Sequence, residues 1–126
     1  ILEAPSDRLD AIEQTVASSL EARFEYAEQL ARRFAQDRAE VLEEWDLWLG
    51  WWRDVMVISQ GEPELVWNVS RLSALQSTSA STPLSQAAAT VKAVQRAIDL
   101  LQRNVNSRLT IEELMLAVPN VVNLRS

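Results

Sequence analysis

The amino-acid sequence predicts an all-α fold, a compact bundle-like or orthogonal array of five or six helices in one domain. Three observations predict it. Apolar residues recur at spacings of three and four along nearly the whole chain, as an amphipathic helix requires. Alternating β-branched runs are almost missing, and the 126 residues include only two glycines and four prolines. Hydrophobic residues make up 48% and charged residues 24%, a balance that suits a buried core and fits neither a disordered segment nor a loop-rich scaffold.

Ser6 or Asp7 can cap a first helix with Leu9, Ile12, Val16 and Leu20 on one face. Phe24, Ala27, Leu30 or Ala31, and Phe34 repeat the pattern in a second stretch. Whether Ser18–Ser19 separates the two or is passed through is open. A third helix is expected from about Asp37 to Ser59, with Val41, Trp45, Trp48, Trp52 and Met56 in one stripe and Leu42, Leu49 and Val55 widening it. A helix so apolar around its girth is buried on more than one side. Gly61 and Pro63 end it. A short helix follows over about 69–75, and Gln76 to Pro83 (QSTSASTP) reads as a loop. Leu84, Ala87, Ala88, Val91, Val94, Ile98 and Leu101 then form the cleanest amphipathic face, opposite Lys92, Gln95, Arg96, Asp99 and Arg103. Asn104 and Asn106 interrupt it, since Asn favours caps and turns. The last helix carries Leu109, Ile111, Leu114, Met115 and Val118 and stops at Pro119. Its cap is Asn106 or, by capping-box spacing to Glu113, Thr110.

Composition narrows the chemistry. The chain has no Cys and no His, which removes disulfides, thiol chemistry, haem and zinc ligation, and histidine-based triads. Glu43–Glu44 and Glu112–Glu113 are neighbours on helices, about 100° apart around the axis, so neither forms a proton-sharing dyad. No glycine-rich phosphate loop occurs. No catalytic residue, cofactor site or metal site is therefore expected, and no small-molecule ligand. No apolar run reaches the roughly 18 residues of a membrane span, and a cytoplasmic home is the default. Residues 1–66 hold 15 acids and 6 bases, residues 67–126 only 3 acids and 6 bases. With a net charge of −6, direct contact with nucleic acid is not expected of this domain. The chain begins at Ile1 rather than Met, which suggests a fragment whose upstream domains are missing.

Two features stand out. Trp45, Trp48, Trp51 and Trp52 fall within eight residues. They fit either a Trp-rich core or a helix with core on one side and a partner on the other, as Trp and Arg are favoured at interface hot spots. Arg53–Asp54 lies inside the most apolar stretch, so these charges need partners, within the domain or across an interface.

The segments around these features resemble one family. Arg23-Phe24-Glu25-Tyr26-Ala27-Glu28-Gln29-Leu30-Ala31 and Asp37-Arg38-Ala39-Glu40-Val41-Leu42 lead into Trp45-Asp46-Leu47-Trp48-Leu49-Gly50-Trp51-Trp52-Arg53-Asp54. The tail runs Leu101-Gln102-Arg103-Asn104-Val105-Asn106-Ser107-Arg108-Leu109, with Glu112, Leu114 and Pro119 following. From about Leu9 to Pro119 the chain resembles the C-terminal domain of the delta-prime subunit of bacterial DNA polymerase III, part of the sliding-clamp loader. The Trp-Trp-Arg-Asp tetrapeptide and the N-x-N-x-x-L-x-x-E signature are its most specific parts. Departures are the Ser/Thr-rich stretch before the fifth helix, where the family continues a more apolar short helix, and Val69, where an acid is common.

The resemblance implies a helical collar domain spanning residues 1–126, which packs beside the C-terminal domains of delta and gamma/tau in a five-subunit ring. It implies a non-catalytic assembly role in DNA replication, with ATPase activity in other subunits of the polymerase III holoenzyme. On this reading Trp48, Trp51, Trp52 and Arg53 are helix and interface anchors, and Asn104 and Asn106 fix the turn between the last two helices. The rival readings are a stand-alone helical protein–protein adaptor, a nucleic-acid contact through the basic fifth helix and, least favoured, an enzyme.

Overall fold

A computed structural model describes residues 6–103 and 106–119. Six α-helices make up the fold: α1 (Ser6–Val16), α2 (Leu20–Gln36), α3 (Arg38–Ser59), α4 (Leu72–Ala80), α5 (Leu84–Gln102) and α6 (Ser107–Ala117). Two single turns of 3-10 helix, Pro63–Leu65 and Val69–Arg71, punctuate the connection from α3 to α4. The described residues contain no strand.

Local chemistry sets the boundaries. The Ser18–Ser19 pair does break α1 from α2. The Ser18 hydroxyl donates to the Thr15 carbonyl at 2.7 Å, and the Ser19 hydroxyl accepts the Ala22 N–H at 3.2 Å, as an N-cap does. Leu20 therefore opens α2 and faces solvent, instead of completing the α1 stripe. Asp37 turns α2 into α3 alone: its N–H donates to the Arg33 carbonyl at 2.7 Å and its carboxylate accepts the Glu40 N–H at 3.1 Å. Gly61 takes a φ of 85° just past α3, and the Glu62 N–H reaches back to the Val57 carbonyl at 2.9 Å. This 6→1 closure needs a left-handed residue, and glycine adopts it without strain.

The expected loop over Gln76 to Pro83 is corrected: α4 runs on to Ala80, and only a short turn precedes α5. Serine and threonine are poor helix formers, but Leu75 and Thr78 are buried and the Thr78 hydroxyl back-bonds to the Ala74 carbonyl at 3.1 Å. Packing against α3 outweighs propensity there. The last helix also turns differently from its expected stripe. Asn106 is its cap, accepting the Leu109 N–H at 3.2 Å, and Thr110, Ile111, Leu114 and Met115 face inward while Leu109 is exposed. Asn104 lies outside the described residues.

α3 runs through the centre. α5 packs along it, with α1, α2 and α4 completing the ring, and α6 closes the far side against α2 and α5. α5 comes close because Ala87, Thr90 and Ala97, all small, are buried on its inner face beside Val94 and Leu101. With α1, α2, α4 and α5 packed around it, α3 can bury Trp45, Trp48, Trp51 and Trp52 at once, none more than 1% exposed. Trp45 and Trp48 stack with centroids 6.5 Å apart, and Tyr26 of α2 leans on Trp48 at 5.9 Å.

Candidate interaction site

The Trp-Trp-Arg-Asp tetrapeptide sits in the second half of α3, where about 100° of rotation per residue sends four side chains in four directions. Trp51 and Trp52 enter the core. Asp54 is fully buried and turns towards the segment after α3. One of its oxygens accepts the Trp67 backbone N–H at 2.9 Å. The other accepts the Asn68 backbone N–H at 3.0 Å and the Asn68 Nδ2 at 2.9 Å. Arg53 adds a charged donor, its Nη1 standing 3.3 Å from Asp54 Oδ1 and also donating to the Leu65 carbonyl at 3.3 Å. A buried carboxylate so fully hydrogen-bonded is compensated for leaving water, and it fixes residues 65–68 against α3.

The segment joins the two 3-10 turns, Leu65 ending the first and Val69 opening the second, with Val66 extended between them. Val66 and Asn68 are buried, while Leu65, Trp67 and Val69 point out, 46%, 36% and 65% exposed. The Trp67 ring is held between two residues of α3. The Arg53 guanidinium carbon lies 3.9 Å from its centroid, a cation–π stack. On the α3 backbone side, a Cβ built on Gly50 would stand 3.7 Å from Trp67 Cε3. Beside this stack a cleft of about 470 Å³ opens between α3 and α5, lined by Asp46, Leu49, Gly50, Arg53, Met56, Trp67, Val91 and Gln95.

The expected anchors therefore separate. Trp48, Trp51 and Trp52 lie in the domain's own core, packed among the helices around α3. Arg53 alone of that group reaches the surface, in the cleft. The sequence reading passed over Trp67, whose exposure follows from its register next to Asn68, the residue that Asp54 holds.

Two further polar groups escaped it. Arg23 is buried on the inner stripe of α2, and its guanidinium donates to four carbonyls: Met115 at 3.2 Å, Val118 at 2.7 Å, Val16 at 3.0 Å and Pro119 at 2.7 Å. It thereby sits at the negative C-terminal ends of α1 and α6, and burial lowers its pKa. The signal was its spacing: positions 23, 27, 30 and 34 form one buried row. Tyr26 accepts the Trp48 Nε1–H at 3.0 Å and donates to Glu44 at 2.5 Å, and Arg33 holds Glu44 and Glu40 at 2.8 Å each. Burial first, and then the Glu44 carboxylate, raise the Tyr26 pKa well above the ordinary tyrosine value.

Among the described residues no group of three or more acidic side chains could hold a metal ion, and no helix is long and apolar enough to cross a membrane. No family model, curated protein or solved structure matches the chain.

Proposed function

We propose that this chain is a non-catalytic assembly domain of the bacterial clamp loader, the collar domain of a delta-prime subunit, packing beside the corresponding domains of delta and gamma/tau. The observation that carries the reading is the outward-facing Trp67, its backbone N–H held by the buried Asp54 of the tetrapeptide on which the resemblance rests, with Leu65 and Val69 exposed to either side in sequence. Trp67 with Arg53 stacked on it pairs two residue types enriched at interface hot spots, and Leu65 and Val69 add exposed apolar surface. The hydrogen bonds from Trp67 and Asn68 to Asp54 lower the ordering cost of association at this segment. In such a complex the domain supplies assembly during cytoplasmic DNA replication, and ATP hydrolysis belongs to other subunits.

The test is to mix this chain with full-length delta and gamma/tau and measure mass by size-exclusion chromatography with light scattering. A stoichiometric heavier species is expected on the order of tens of micromolar or below. Separate elution of every component would overturn the assignment.

A further inference from the structure

We propose that the cleft between α3 and α5 receives a helix of a neighbouring subunit, which seats an apolar side chain among Leu49, Trp67 and Val91 and sets a carboxylate on Arg53. The proposal rests on the assembly reading above and names the surface that it uses.

The charge arrangement of the cleft identifies the occupant. Arg53 spends only Nη1 inside the domain, on Asp54 and Leu65. Its Nε and Nη2 have no partner among the described residues. That edge of a guanidinium takes a carboxylate side-on through two parallel hydrogen bonds. The stack on Trp67 holds the guanidinium plane, and its side chain is only 28% exposed, so an incoming acid meets a cation already positioned and partly dry. Asp46 lines the same cleft two turns earlier on α3, about 10 Å along the axis. The cleft is thus cationic at one end, anionic at the other and apolar between. A helix carrying an acid and a base about two turns apart, with an apolar residue between them, fits it in one direction only.

The probes are full-length delta and, separately, full-length gamma/tau. Arg53→Glu places a carboxylate where the partner's acid would bind, and is expected to weaken the complex by at least roughly tenfold. Because Arg53→Glu also disturbs Asp54, Gln95→Trp serves as a second variant. Gln95 is exposed on α5 at the cleft, and the indole would fill the cleft without touching the core, with a similar loss expected. Arg103→Glu, two turns further on at the C-terminal cap of α5, is expected to change nothing. Circular dichroism checks each fold. A wild-type complex that neither cleft variant weakens would overturn the docking and leave the collar reading standing. No complex with the wild-type chain would overturn both. A dimer of this chain alone that Arg53→Glu dissolves would overturn the partner helix in favour of a second copy.

Discussion

Arg23 donates a 2.7 Å hydrogen bond to the carbonyl of Val118, ninety-five residues along the chain. The same guanidinium holds the ends of α1 and α6 through Val16, Met115 and Pro119, so one side chain closes helices from both ends of the described chain. Arg23→Met keeps much of the volume but leaves four buried carbonyls without their donor. We expect a loss of about 3 kcal/mol in urea unfolding. Lysine should recover less than half, because a point ammonium cannot span the fork. Unfolding midpoints within error of wild type would show that water replaces the guanidinium at no cost.

Alkaline pH should expose the Tyr26 network. The folded chain holds the Tyr26 proton more tightly than the unfolded chain, because burial and then Glu44 disfavour the phenolate. The sign follows: this stabilisation is fully present below the ordinary tyrosine pKa and declines as pH rises through and beyond it. The sequence has one tyrosine, so tyrosinate absorbance reads this residue alone. Ionisation is expected to coincide with loss of helical circular dichroism, and Tyr26→Phe should flatten the alkaline decline. Ionisation at the ordinary value in an intact fold would contradict the buried hydrogen bond to Glu44.

Asp54→Asn changes one oxygen of a fully engaged carboxylate into a donor. The side chain then faces donors with a donor, and a cost of about 2 kcal/mol is expected from the unsatisfied group. Amide exchange at Trp67 and Asn68 should quicken well before exchange in α3. Unchanged protection at those two amides would mean that the segment is held by packing of Val66 alone.

Gly50 invites the opposite prediction from most core glycines. Its helical position needs no special backbone conformation, and an added Cβ meets Trp67 only at 3.7 and 3.9 Å, ordinary contact distances. Gly50→Ala is expected to stabilise the fold by about 0.5–1 kcal/mol through helix propensity. A lower melting temperature would show that Trp67 sits closer to α3 in solution.

The helices were legible because their apolar spacing is regular: Leu9, Ile12 and Val16 of α1 and Ala87, Val94 and Leu101 of α5 are buried, whereas Leu20 and Leu84, expected on those faces, open their helices and are exposed. α4 was not, since serine and threonine read as loop and the burial of Leu75 and Thr78 depends on packing against α3, a contact that local spacing does not encode. The tetrapeptide was visible as a feature, but the division of its labour was not. Whether an indole faces core or solvent depends on how many helices surround α3, a tertiary fact. Arg23 shows the converse limit. Its position on the buried row was readable, yet its partners are backbone carbonyls, which carry no side-chain signature.

The distribution of the five tryptophans has a practical consequence. Four are sealed inside, and Trp67 alone meets solvent. A collisional quencher should therefore reach a single emitter, and any protein that settles on this surface should shield it. The molecule carries its own optical reporter at the place where binding is to be observed, with no dye or label required.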